Sequence, residues 1–140
     1  MNVKFLEFEV MGDHRGSLVA IESYKQVPFE IKRVYYIFGT KFNVKRGVHA
    51  HKNLQQILIA VSGSCTVVVD DGFKKQEFEM DSPRKGLFID KLIWREIKNF
   101  SSDCVLLVLA SDYYSELDYI RDYDEFKKYA VLRESSLDKE

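Results

Sequence analysis

The sequence predicts an all-β fold, a barrel or jelly roll, followed by a single α-helix. Three observations carry this. Short segments that alternate apolar and polar residues, or run β-branched, recur along residues 3–111 at strand length. The breaks between them hold turn-forming residues. After Ser111 the apolar period changes from that of a strand to that of a helix.

The strand segments fall at roughly 3–10, 17–22, 32–38, 45–51, 55–61, 64–69, 73–80, 86–90, 94–100 and 104–111. GDHRG (12–16) precedes the second, Ser62-Gly63 follows the fifth, Asp70-Asp71-Gly72 reads as a hairpin turn, and Ser82-Pro83 and Gly86 mark later breaks. The run QQILIAV (55–61) is apolar on both faces and belongs in the middle of a packed structure. Leu117, Ile120, Tyr123, Phe126 and Ala130 recur at helical spacing, with Ser115 as N-cap and Asp118 completing a capping box. The pattern predicts a helix over about 115–130 whose apolar stripe covers the outside of the barrel. The tail RESSLDKE, 133–140, is polar and expected to fray.

At 140 residues and 46% hydrophobic content the chain supports one core, so 1–140 is read as a single domain. Lys and Arg number 21 against 22 Asp and Glu, for a net charge of −1. Nothing global therefore points to nucleic acid or an anionic membrane, and an anionic ligand must be met by a local cluster. Cys65 and Cys104 sit in apolar runs, SCTVVV and DCVLLVLA, where a buried reduced thiol is expected and no role is assigned. That favours the cytoplasm. MNVKFLEFEV alternates like a strand, unlike a signal peptide, and no apolar run approaches the ~20 residues of a membrane span.

Two of the three histidines, His49 and His51, share one side of the strand RGVHAH. They line the cavity if Val48 and Ala50 face another layer, and meet solvent otherwise. Arg46 is placed on the same face just before the pair, and the preceding strand carries Arg33 and Tyr35 in register with each other. A basic, phenolic and imidazole-rich surface suits an anionic, oxygen-rich ligand. Arg33 and Arg46 can fork phosphate oxygens, with a surface salt bridge as the plain alternative. His14, in the GDHRG turn, reads as a surface residue that could approach the barrel mouth. A metal-binding barrel commonly adds a Glu after His-x-His and a further His near its second motif. Here Gln55 or Gln56 and Trp94-Arg95 stand there, so no metal and no cofactor is expected.

The runs IKRVYYI (31–37), RGVHAHKNLQQILIAVSGS (46–64) and GLFIDKLIWREIKNFSSDCVLLVLASDYYSELDYIRDYDEFKKY (86–129) resemble the cupin-fold sugar 3,4-ketoisomerases that act on dTDP-4-keto-6-deoxy-glucose. The resemblance covers about residues 13–129 and implies a cupin-like double-stranded β-helix (jelly roll). It also implies a metal-free site and a domain-swapped homodimer that exchanges N-terminal strands. The implied product is a 3-keto isomer that feeds an aminotransferase making 3-amino-3,6-dideoxy sugars for surface glycans such as lipopolysaccharide O-antigen.

Moving a carbonyl from C4 to C3 requires a proton to leave C3, an enediol or enediolate, and reprotonation at C4. Imidazole can accept and return protons near neutrality. The resemblance makes His49 the carbon base and His51 the shuttle between the two oxygens, with Tyr35 donating to the developing oxyanion. Tyr36 points the other way and is expected in the core. Arg15 and Arg95 match positions bordering the sugar, where Arg15 favours a galacto product although galacto-forming members typically show histidine at position 95. Trp94 is read as packing or as a lid on the sugar. Tyr113, Tyr114, Tyr119 and Tyr123 are read as the contact between helix and barrel. A dTDP-sugar 3,5-epimerase and a non-catalytic sugar-binding cupin are the alternatives.

Overall fold

The computed structural model describes the backbone of residues 1–138 and side chains through residue 136. Two five-stranded antiparallel sheets face each other as a jelly roll. The first contains, in spatial order, β1 (Val3–Glu7), β9 (Lys85–Ile89), β6 (Gln56–Ser62), β11 (Val105–Ala110) and β4 (Arg33–Phe38). The second contains β12 (Tyr119–Ile120), β5 (Arg46–His51), β10 (Trp94–Lys98), β7 (Cys65–Asp70) and β8 (Lys75–Met80). A separate hairpin pairs β2 (Met11–Asp13) with β3 (Gly16–Leu18).

Alternation along the strands sorts side chains into layers. Leu58, Leu87, Leu106 and Val108 of the first sheet meet Val67, Val69 and Ile97 of the second in the central core. The reverse face of the first sheet also needs cover, because Ile57 and Ile59 of β6 point away from that core. Phe8, Val27 and Phe29 supply it. This is why β6 is apolar on both faces. The reverse face of the second sheet, at Ala50, Trp94 and Ile120, is covered by Phe126 and Ala130 of the helix α1 (Tyr123–Asp138).

The helix begins later than the spacing predicts. Residues 116–118 form a short 3-10 turn, and Ser115 makes no side-chain cap bond. Tyr119 and Ile120 pair with His51 and Ala50 as strand β12, so Ile120 is buried from a strand and Leu117 stays 85% exposed. Asp122 is the functional cap, its carboxylate accepting from the amides of Asp124 at 2.8 Å and Glu125 at 3.2 Å. The expected fraying from 133 is corrected too, since α1 runs to Asp138; residues 139 and 140 lie outside the described residues.

Gly86 lies within β9, where a Cβ would come within 2.6 Å of Ile57 Cγ2 and 2.9 Å of Phe8 Cζ. Close approach, not a turn, requires glycine there. Tyr36 does point away from Tyr35 but is 62% exposed, on an edge strand whose outer face also shows Val34 and Phe38. Cys65 and Cys104 are buried free thiols in the central core, and burial raises both pKa values. His14 is exposed, as expected.

Candidate active site

The two sheets enclose a cavity of about 530 Å³. Alternation decides which residues reach it: Arg33, Tyr35 and Ile37 from β4, Arg95 and Ile97 from β10, and Gln56 and Leu58 from β6. Arg46, Gly47 and His49 come from β5, which departs from regular pairing. Arg95 lies opposite His49, but the adjacent Glu96 lies opposite Gly47, leaving Val48 as an extra residue. Gly47 has φ +82° and Val48 φ +53°, so the chain kinks through the left-handed region. Strict alternation would have put Arg46 on the side of Val48 and Ala50. The bulge turns it back to the side of His49, and Ala50 packs under the helix.

His49 lines the cavity, whereas His51 is fully buried behind it. The expectation that both rings point into the cavity side by side is corrected in this respect. The cause is β12, which lies along β5 and brings Tyr119 over both rings, at 4.9 Å from His49 and 4.5 Å from His51. The Nε2 atoms of the two histidines face each other at 3.1 Å. His49 Nδ1 lies 2.7 Å from the Gly47 carbonyl oxygen, which can only accept, so that nitrogen carries the proton. His51 Nδ1 lies 3.0 Å from Asp118 Oδ2, and the other carboxylate oxygen accepts from the Asn53 amide at 2.8 Å. Burial, reinforced by the Arg95 guanidinium, lowers both imidazole pKa values, His49 to about 4, so His49 is a neutral base at physiological pH.

A second chain of hydrogen bonds starts at Arg95, which is 2% exposed. Its guanidinium donates to the Gln56 side-chain oxygen and, at 3.0 Å, to the Ile93 carbonyl. Because an arginine can only donate, Gln56 must present its amide nitrogen on the other side, where it donates to the Tyr35 hydroxyl at 3.1 Å. The Tyr35 proton is then directed elsewhere, and burial raises its pKa, so it is available to donate. The buried Nε atoms of Arg33 and Arg95 lack a partner among the described residues. With Lys45 and Arg46 these make the cavity strongly cationic.

At the rim, Arg121 donates to both oxygens of Glu116, at 2.8 and 3.0 Å, while its guanidinium lies 4.3 Å from the Tyr119 ring centroid. Tyr114 and Tyr119 belong to the cavity wall. The reading of the four tyrosines as helix contacts holds only for Tyr123, which stacks edge-on to Trp94 at 5.3 Å and donates to Asp70 at 2.6 Å.

Of the residues singled out in sequence, Arg33, Tyr35, Arg46, His49 and Arg95 meet at the cavity. Trp94 does not. It is 5% exposed against Tyr123 and Phe126, on the opposite face of β10 from Arg95, so it is packing and no lid. Arg15 stands at the exposed β2–β3 turn, ion-paired with Asp13 at 2.7 Å, away from the cavity of its own chain. The sequence reading missed Gln56 as a link to Tyr35 and Asp118 as a partner of His51. Gln56 had registered only as a missing carboxylate, and Asp118 was absorbed into a capping box that does not form.

The family model described as FdtA, WxcM-like, C-terminal matches residues 1–131. The chain belongs to that family. A curated relative from Aneurinibacillus thermoaerophilus, TDP-4-oxo-6-deoxy-alpha-D-glucose-3,4-oxoisomerase, is 55% identical over 140 residues, covering 100% of this chain and 99% of the relative. The crystal structure of a 3,4-ketoisomerase from Helicobacter canadensis superposes with a TM-score of 0.91 at 52% identity, covering 93% of this chain and 98% of that one. A histidine-to-asparagine mutant of a 3,4-ketoisomerase from Thermoanaerobacterium thermosaccharolyticum, solved with TDP-4-keto-6-deoxyglucose, gives a TM-score of 0.92 at 42% identity, covering 94% and 96%. The FdtA-family chain therefore shares the cupin-like fold of these enzymes. Among the described residues no helix is long and apolar enough to cross a membrane.

Proposed function

We propose that the protein is a TDP-sugar 3,4-ketoisomerase that converts dTDP-4-keto-6-deoxy-D-glucose to the 3-keto isomer in the cytoplasm. The observation that carries the reading is the pairing of a neutral base, His49, with a protonated phenol, Tyr35, on the wall of one cationic cavity. The full-length likeness to the Aneurinibacillus oxoisomerase supplies the substrate class. His49 takes the proton from C3 and later returns a proton to C4. Tyr35, held by Gln56, donates to the oxygen at C4 as the enediolate develops, and the Tyr35 phenolate takes back the proton from O3 as that oxygen becomes the carbonyl. Arg33 and Arg46 hold the diphosphate through forked contacts. Arg95, fixed beside both His49 and Tyr35, faces the charge that develops between them.

The product is assigned the galacto configuration on Arg15, and it feeds an aminotransferase making a 3-amino-3,6-dideoxy sugar for surface glycans. Since Arg15 lies outside its own cavity, this assignment requires the β2–β3 hairpin to reach the site of a second copy, in a domain-swapped homodimer. The exposed Val34, Tyr36 and Phe38 on edge strand β4 are the apolar surface such a dimer would cover. Light scattering at micromolar concentration should give twice the chain mass; a monomer there removes this part of the reading.

The decisive assay incubates the protein with TDP-4-keto-6-deoxyglucose, adds a sugar 3-aminotransferase with its amino donor, and analyses the nucleotide sugar by mass spectrometry and NMR. A 3-amino-3,6-dideoxyhexose is expected. Recovery of unchanged substrate, or of a sugar inverted at C3 and C5, would replace the isomerase reading with a binding or epimerase one.

A further inference from the structure

We infer that Asp118 is a positioning residue that holds the proton of His51 on Nδ1, keeping a proton-free gap between the two Nε2 atoms that one substrate proton can fill. This rests on the isomerase reading above, and it concerns a residue that does not touch the cavity.

The two imidazoles hold their protons on four ring nitrogens, two of which have fixed partners. The Gly47 carbonyl holds a proton on His49 Nδ1, because a carbonyl oxygen cannot donate. Asp118 does the same for His51, and its carboxylate cannot turn away, because its second oxygen is bound by the Asn53 amide and its backbone carbonyl accepts from the Lys52 amide at 2.9 Å. With both Nδ1 protons held in this way, neither neutral imidazole can supply the hydrogen of the 3.1 Å contact between the Nε2 atoms, so their lone pairs repel until a third proton enters and completes the bond. A proton taken up by His49 completes that contact and is shared with His51, while the Asp118 carboxylate balances the charge at the far end. Arg95, Arg33 and Arg121 face the pair from the cavity side and oppose a resident proton. The pair is thereby empty at rest and has room for one proton, which is what a carbon-to-carbon transfer requires.

The segment that carries Asp118 is built for this. Strand β12 follows it directly and pairs with β5 at His51 and Ala50, and α1 anchors Ile120 from behind through Phe126. The carboxylate approaches His51 from the side away from His49, so the three groups form a line: Asp118, His51, His49.

The substitution Asp118→Asn is the informative one, because an amide cannot serve both partners. If its oxygen stays on the Asn53 amide, its NH2 meets His51 Nδ1 and drives the proton to Nε2, where it points at His49 and occupies the base. Nitrogen-15 NMR of imidazole-labelled protein reads this directly. Wild-type His51 should show the Nδ1–H form and Asp118→Asn the Nε2–H form. Turnover of TDP-4-keto-6-deoxyglucose should fall by about 100-fold or more in kcat, with KM changed less than about 3-fold, since the sugar and nucleotide contacts remain. Asp118→Glu, which keeps a carboxylate, should recover part of the Nδ1–H population and part of the rate. Wild-type His51 protonated on Nε2 at rest, or an Asp118→Asn enzyme running at the wild-type rate, overturns the inference. The wild-type NMR measurement stands even if the variants fold poorly. It also needs no substrate, so an inactive wild-type protein would reject the isomerase reading while leaving the role of Asp118 to be decided by the tautomer.

Discussion

Replacing Arg95 with methionine should nearly preserve stability while removing most of the activity. Arg95 is 2% exposed and its guanidinium makes two hydrogen bonds, to Gln56 and to the Ile93 carbonyl, with Nε unpartnered among the described residues. Burial brings its pKa down to about 10 from 12.5, which corresponds to roughly 3 kcal/mol by which the site disfavours the charge. Methionine removes that cost and fills much of the volume. It also leaves the Gln56 oxygen and the Ile93 carbonyl without their donor, at about 1–3 kcal/mol each. The opposing terms leave at most about 3 kcal/mol of net destabilisation, so the melting temperature should fall by no more than about 12 °C, taking about 4 °C per kcal/mol for a domain of this size. Removing the charge also raises the His49 pKa from about 4 towards its ordinary value. A base works only when neutral, so activity is lost as pH falls through the His49 pKa, and the acid limb should move to higher pH in the variant. Thermal denaturation, an NMR titration of His49 and kcat on the TDP-sugar measure the three effects separately. A melting temperature lowered by more than about 15 °C would make Arg95 a structural residue. A wild-type kcat, or a His49 pKa unmoved, would refute the electrostatic argument.

His49→Asn keeps a polar side chain at the cavity wall but removes the base. Its kcat should fall by about 100- to 10,000-fold while TDP affinity, measured by calorimetry, changes only a few-fold; retained turnover would reassign the base. Gly47→Ala tests the bulge. Its φ of +82° disfavours a Cβ, which would also touch Arg95 Cγ and O at 3.4 Å. The cost should be about 1–2 kcal/mol, or about 4–8 °C in melting temperature, with a parallel loss of kcat as Arg46 and His49 shift. A variant with unchanged melting and turnover would show that the bulge positions nothing.

Most of the strands were legible because burial on one face writes a period of two into the residues, and β6, buried on both faces, stands out as the exception at Ile57–Ala60. Turn chemistry marked the β7–β8 hairpin at Asp70-Asp71-Gly72 as well. The helix start was misread because two cap signals compete within eight residues. Ser115 and Asp118 match a capping box in type, but Asp122 and Glu125 match it too, and only the latter pair is followed by residues that bury against a sheet. Local pattern cannot rank them, since the pairing of Tyr119 with His51 that withdraws residues 119 and 120 from the helix joins positions 68 apart. The short strand β12 escaped notice for the same reason, and β2 because all three of its residues are exposed, so no buried face writes a period into them.

The candidate site was legible in its residue types and not in its wiring. Residue types are chosen by chemistry, so His49, Tyr35 and three arginines announce a cationic cavity that handles protons. What orders them comes from departures from regular structure. A valine at φ +53° is costly, and nothing in RGVHAH beyond Gly47 announces it, yet that extra residue turns Arg46 from the helix side to the cavity side. Had β5 been regular, Arg46 would lie with Ala50 under α1, and its charge would be on the face of the sheet away from the cavity. His-x-His on a regular strand also reads as a pair of metal ligands. Here one Nδ1 is held by a carbonyl made available at the bulge and the other by a carboxylate that arrives from residue 118. The nitrogens left over face each other, an arrangement suited to holding a proton between them. The same two imidazoles thus acquire a different chemistry from their hydrogen-bond partners, one local and one distant, and the distant partner is the one that sequence spacing could not reveal.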